Sequence, residues 1–333
     1  MKSQAIVLAS RPEGEPTQEN FSTQTYELPA LEPGQLLLEN VCFTVDPYMR
    51  GRMNEGESYV PPFEVGEPLD GGVVGRVLKS EHERFSEDDL VVSDTGGWRT
   101  HCVIEGSKAR PVDTTVLEPS DYLGAAGMPG LTAYSGLFAL GRPKAGDTIL
   151  VSAASGAVGS LVCQFAKLNG CKVLGSAGSS EKVDYLLNTL KIDGAFNYKD
   201  DASVLDQFRE VAPDGIDIYW DNVGGDFLEA ALETLNTHGT IVSCGMISIY
   251  NAEEPPPGPK NLARIIQKRL RIKGLLVRDH ESLAPEFHKR LAAWKKAGVV
   301  SWETTRYQGL EKGVEAFLGL FSGENLGKMI VEL

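Results

Sequence analysis

The sequence predicts an α/β chain of two domains, a mostly β first domain and a second built on a doubly wound parallel sheet. Three observations carry the prediction. Residues 148–159 read as a strand, a glycine-bearing turn and the start of a helix. Apolar strand runs then alternate with helical spacing to residue 277, which demands right-handed crossovers and a parallel sheet with helices on both faces. Before residue 122 the strands are short, closely spaced and separated by glycine turns, the pattern of a small barrel-like domain.

Taken in order, residues 1–12 hold an apolar run too short for a secretory signal and read as a first strand. Strands follow at 35–45, 71–78, 90–93 and 98–104, with Thr95-Gly96-Gly97 as a turn. The polar turn Asp46-Pro47-Tyr48-Met49-Arg50 comes directly after an apolar strand. Its Tyr48 either lines the mouth of a cleft or packs on its own domain. From Tyr122 the composition shifts to small residues, including Gly127, Met128, Gly130 and Thr132, that permit close helix packing.

In the turn after residues 148–151, Gly156 lets the backbone approach a pyrophosphate and Gly159 lets the helix of 160–168 pack on the strand. The free amides and dipole of that helix N-terminus favour a phosphate. Ala154 stands where the fingerprint G-x-G-x-x-G has its first glycine. The next strand, 171–178, ends without the acid that holds an NAD ribose; the first carboxylate is Glu181, followed at once by Lys182. Small hydroxyls and a cation suit a 2′-phosphate, which favours NADPH over NADH. The alternative for Lys182 is a solvated first-turn lysine.

Further strands are expected at 194–198, 216–220, 240–244 and 270–277, with a helix over 226–235 whose Phe227, Leu228, Ala231, Leu232 and Leu235 share one side. Loops 221–225 and 245–251 fall at strand carboxyl ends, where such sheets bind ligands. The proline-rich segment 252–260 is either a lid or a linker, and 262–270 resumes helical spacing. Residues 302–333 hold a helix around 310–320 and a short final strand.

The composition narrows the function. With 333 residues, 42% hydrophobic content and a formal net charge of −14, the chain is a poor partner for nucleic acid or an anionic membrane. No run approaches a membrane-spanning length, and the C-terminal residues form no address signal, so the cytoplasm is the expected location. Five dispersed cysteines suggest reduced thiols, and five dispersed histidines give no zinc spacing.

Five motifs in order resemble the zinc-independent prostaglandin reductase and alkenal double-bond reductase family of the medium-chain dehydrogenase/reductase superfamily. They are Asp46-Pro47-Tyr48-Met49-Arg50, Ala153-Ala154-Ser155-Gly156-Ala157-Val158-Gly159, Phe196-Asn197-Tyr198-Lys199, Asp221-Asn222-Val223-Gly224-Gly225 and Gly323-Glu324-Asn325-Leu326-Gly327-Lys328. The resemblance implies a GroES-like β-barrel domain (1–122, completed by 298–333), a Rossmann NADPH-binding domain (123–297) and a homodimer paired edge to edge, with 270–277 the candidate edge. It implies cofactor contacts from Ser155, Gly156, Ala157, Val158, Gly159, Gly178, Asn222, Cys244, Tyr250, Asn325, Met128 and Thr132, with Lys182 and Tyr198 on the 2′-phosphate. Tyr48 and Tyr250 resemble the two tyrosines near substrate. Zinc-dependent relatives carry a cysteine before the first loop and Gly-His-Glu after it; this chain has Thr44-Val45-Asp46-Pro47 and Gly66-Glu67-Pro68, so no metal is expected.

These observations lead to the reduction of an α,β-unsaturated ketone or aldehyde by NADPH, with hydride going to the β-carbon and Tyr250 and a ribose hydroxyl meeting the charge on the carbonyl oxygen. Quinone reduction on the same fold is the rival enzyme reading. A non-catalytic nucleotide-binding protein that also binds RNA is the rival of another class, and the chain's acidity argues against it.

Overall fold

The computed structural model describes residues 1–254 and 256–333. Its contacts divide the chain into two compact units, 1–127 with 304–333 and 128–303. The divisions fall a few residues beyond those expected at 122 and 297, for local reasons. Gly127 donates to the Gly124 carbonyl and packs so tightly on the Tyr122 carbonyl that a Cβ would not fit, which keeps 123–127 with the first unit. Gln164 pairs its amide with both backbone groups of Ser301 (2.9 and 2.8 Å), which keeps 298–303 with the second.

The first unit opens with β1 (Lys2–Leu8) and β2 (Phe21–Glu27), an antiparallel pair, followed by β3 (Gln35–Thr44). A short helix α1 (Met49–Arg52) precedes β4 (Val73–Ser80), β5 (Leu90–Ser93), β6 (His101–Glu105) and β7 (Ala109–Pro111). The expected strand at 98–104 begins only at His101, because the buried Trp98 turns inward and donates its indole N–H to the Thr44 carbonyl (3.0 Å).

The second unit begins with α2 (Met128–Ser135), then alternates β8 (Thr148–Val151), α3 (Gly159–Leu168), β9 (Lys172–Ala177), α4 (Ser180–Asp184), β10 (Gly194–Asn197) and α5 (Val204–Val211). It continues with β11 (Ile216–Asp221), α6 (Gly225–Thr234), β12 (Leu235–Ser243), α7 (Ala263–Lys268), β13 (Arg271–Gly274) and α8 (Ala284–Lys296). Its six strands are all parallel, in the order β10-β9-β8-β11-β12-β13. Leu235, expected to end a helix, starts β12 instead: it adopts extended ψ (139°) while its amide caps the Ala231 carbonyl. The 270–277 run is an edge strand, as expected, but only its first half pairs. Residues 252–254 and 256–260 form no regular element, and Pro255 lies outside the described residues.

The chain then returns to the first unit as β14 (Thr304–Gln308), α9 (Gly313–Ser322) and β15 (Lys328–Glu332). β15 pairs antiparallel with β3 and parallel with β14, completing a seven-stranded sheet ordered β14-β15-β3-β4-β5-β7, with β6 on β3. Ile6, Phe43, Trp98 and Phe317 form the centre of that unit's core, while Phe208, Tyr219, Phe227 and Ile241 do so in the other.

Candidate active site

The second unit's site is built on the carboxyl ends of β8, β9, β11 and β12. The turn after β8 is tight. Ala153 adopts φ 48°, a left-handed conformation costly for any residue but glycine, and Ala154 donates to the Ser176 carbonyl at 2.8 Å. Ala154 fills space that β9 leaves for it: a Cβ on Gly175 would come within 2.7 Å of the Ala154 methyl. The methyl missing from Gly175 is thus present on Ala154, which explains how the turn dispenses with the first fingerprint glycine. Gly159 has no such latitude, since a Cβ there would press on the Ala153 carbonyl oxygen and lie 2.9 Å from the Ala154 Cα. Among the described residues of the unit, no acceptor takes the amides of Ala157 and Val158, which stand at the N-terminus of the ten-residue α3, a cradle that fits a pyrophosphate.

The loop after β9 is equally specific. Ser179 caps α4, its Oγ accepting from the Lys182 amide (3.3 Å). Tyr198 donates its amide to the Ala177 carbonyl, and its ring covers Gly178, where a Cβ would be 3.0 Å from the phenol oxygen. Phe227 packs edge to face against that ring, the centroids 5.5 Å apart. Burial lowers the Lys182 pKa and the nearby Lys199 charge lowers it further. A dianionic 2′-phosphate would relieve that repulsion, so the residues present fit NADPH.

β8 and β11 are neighbours whose connections leave in opposite directions, the switch point where such sheets bind ligands. Asn222 ties them together: its Nδ2 donates to the Ser152 carbonyl (2.7 Å), its amide to Ser152 Oγ (2.9 Å), and its Oδ1 accepts from the Trp220 indole (3.0 Å). Its side chain, expected to line the cofactor, also braces the turn. Asp221 was not singled out from sequence, yet it is fully buried and more central. Its Oδ1 accepts from the Val223 amide, the Gly224 amide and the Tyr219 hydroxyl, at 3.0, 2.8 and 3.0 Å. Its carbonyl takes the amides of Cys244 and Gly245, while Oδ2 is buried without a partner. The signal that could have found it is an acid that ends an apolar strand run just before Gly224-Gly225.

Burial raises the Asp221 pKa above the usual carboxylate value. A carboxyl group raised on folding contributes stability that is present in acid and lost as pH climbs through the raised value. Asp221→Asn, which keeps Oδ1 and removes the charge, should therefore gain in Tm relative to wild type as pH rises above the ordinary carboxylate value. Asp221→Ala orphans two amides and a phenol and should cost about 3 kcal/mol or more in a denaturant titration.

At the end of β12, burial and the Asp221 charge push the Cys244 thiol up to about 12, so it stays a thiol at neutral pH. Tyr250 folds back over the same loop and accepts from the Met246 amide at 3.2 Å. On α2, the Thr132 hydroxyl donates to the Met128 carbonyl (2.7 Å). In the first unit, Tyr48 is half-buried against the core of that unit, and burial with the adjacent Asp46 raises its pKa. Asn325 donates to the Gly327 carbonyl at 3.0 Å. Among the described residues, no three His, Cys, Asp or Glu side chains converge as a metal site.

Comparison with known proteins agrees with this geometry. Residues 4–112 match the family model "N-terminal domain of oxidoreductase", and 157–293 match "Zinc-binding dehydrogenase". The chain is 40% identical to the NADP(+)-dependent 2-alkenal reductase of Nicotiana tabacum, over 99% of this chain and 97% of that protein. It is 42% identical to prostaglandin reductase 1 of Rattus norvegicus, over 96% of each. The crystal structure of CurA from Vibrio vulnificus in complex with NADPH superposes with a TM-score of 0.94 at 40% identity, covering 99% of this chain and 98% of that one.

Proposed function

The chain belongs to the zinc-independent medium-chain dehydrogenase/reductase family and is an NADPH-dependent oxidoreductase; we propose that it reduces the C=C bond of α,β-unsaturated ketones and aldehydes. The observation that carries this reading is Tyr250, whose phenol oxygen accepts from the Met246 amide beside the switch point. That bond orients the ring, and a phenol that accepts from an amide is the stronger donor through its own O–H.

Bound NADPH supplies the hydride that adds to the substrate β-carbon. The Tyr250 hydroxyl donates to the carbonyl oxygen as negative charge gathers there, and water or a tyrosine protonates the α-carbon. Thr132, whose proton is given to Met128, offers lone pairs suited to a carboxamide N–H. Tyr48 and Asn325 are assigned to substrate and cofactor on the strength of the family resemblance. The reading also carries a cytoplasmic setting and a homodimer paired at the free edge of β13.

The test is NADPH oxidation against a panel of enals, enones and simple quinones, repeated with NADH. Turnover of the conjugated carbonyls with NADPH supports the proposal, and activity confined to quinones sinks it. Tyr250→Phe should lower kcat by about 100-fold, the scale of one lost oxyanion donor, while the Kd for NADPH stays near wild type. Unchanged turnover would move the role to the ribose hydroxyl, Tyr48 or solvent.

A further inference from the structure

The first unit buries one ion pair that joins its two motif loops. Lys328, the first residue of β15, is 4% exposed, and Asp46, just past the end of β3, is 5% exposed. Their Nζ and Oδ1 lie 3.0 Å apart. The ammonium also donates to the Val45 carbonyl (2.7 Å) and the Met329 carbonyl (2.9 Å), so all three of its protons are used. Asp46 Oδ2 takes the Thr44 hydroxyl at 2.5 Å. Gly124 leaves room for the lysine stem, since a Cβ there would sit 3.3 Å from Lys328 Cγ.

Two loops meet at this pair. Asp46 begins the turn that carries Tyr48, and its carbonyl accepts from the Met49 amide (3.1 Å). Lys328 ends the loop that carries Asn325, which is pinned on its other side by mutual bonds between Thr305 Oγ1 and Leu326 (2.9 and 3.0 Å). A buried ion pair is a weak source of stability, because desolvation offsets most of the attraction. It is an effective register, because a displaced partner leaves a bare charge in the core.

We propose that Lys328 and Asp46 are positioning residues: the pair sets the Tyr48 turn against the Asn325 loop, so that substrate-facing phenol and cofactor-facing amide are held in fixed register. This rests on the reading above, in which Tyr48 faces substrate and Asn325 the cofactor. Neither charged group takes part in the chemistry.

The experiment compares Lys328→Met, the double variant Asp46→Asn with Lys328→Met, and wild type. Tm, enone kcat/KM and the Kd for NADPH by nicotinamide fluorescence are measured for each. Lys328→Met strands the carboxylate and should lower Tm and kcat/KM and raise the Kd for NADPH. The double variant, with no buried charge left, should regain most of the lost Tm while kcat/KM stays down at least about tenfold, as small misplacements of reacting groups do. Recovery of kcat/KM together with Tm would overturn the proposal.

Should the double variant fail to fold, Thr44→Val removes only the hydroxyl that orients Asp46. A severalfold rise in enone KM is expected, and wild-type kinetics would overturn the proposal. Tyr48→Phe and Asn325→Ala, run alongside, separate it from its premise. If both are silent, the assignment of those two residues is at fault and the proposal falls with it. If either is impaired while the double variant matches wild type, the pair's role alone is overturned.

Discussion

Gly159→Ala should abolish measurable NADPH binding, raising Kd by at least about 100-fold, and lower the Tm. The added methyl meets backbone on every near side: the Ala153 carbonyl oxygen and carbon and the Ala154 Cα. No flexible side chain can swing away, and Ala153 already occupies a strained conformation at φ 48°, so the turn has no slack. Either α3 moves off the sheet, leaving poorly packed the buried Leu161, Val162 and Phe165, or the turn opens. Overpacking of this kind costs about 1–3 kcal/mol in stability. Either movement also takes the Ala157 and Val158 amides out of register, and two or more charge-assisted bonds of about 1.5–3 kcal/mol each account for the loss in affinity. Gly156→Ala is the contrast. Its Cβ would meet the Ala153 oxygen at 3.3 Å, and a smaller loss of Tm is expected. A fluorescence titration with NADPH and a thermal melt check both, and equal losses in the two variants would mean that contact with backbone at 159 is not what limits the turn.

How much of this could be read in the sequence follows from the range of the interactions involved. The β8 turn was legible because its glycines and the apolar spacing of α3 lie within one short stretch. Likewise the segments after β9 and β10 that carry Lys182 and Tyr198 were legible because each follows an apolar strand run. β2 and β14 gave no signal: Phe21–Glu27 and Thr304–Gln308 are mostly polar and partly exposed, and become strands only because β1 and β15 offer backbone to pair with. The braces were equally invisible. Asn222 meets Ser152, and Lys328 meets Asp46, only after the sheets have brought distant segments together. Asp221 looked like one more acid in an acidic chain, and only its burial and its three donors to one oxygen mark it out.

Lys182→Glu should reverse the cofactor preference. The variant keeps the Ser179 cap, which engages the backbone amide and not the side chain, so α4 should still form. What changes is the charge in the first turn of α4, near Lys199. Losing a charge-assisted bond to the 2′-phosphate costs about 1.5–3 kcal/mol, and an acid facing a dianion adds repulsion. Together these amount to about 3 kcal/mol or more, on the order of 100-fold or more in the Kd for NADPH. NADH carries no such phosphate, and a carboxylate can accept from its ribose hydroxyl, so its affinity should hold or improve. The wild-type protein provides an independent check through pH. Burial and Lys199 lower the Lys182 pKa, and a bound phosphate would raise it again, so NADPH affinity should weaken as pH rises through the lowered value. NADH affinity should stay level over the same range. An equal fall for both cofactors, in the variant or with pH, would mean that residue 182 acts through the folding of α4 and not through the phosphate.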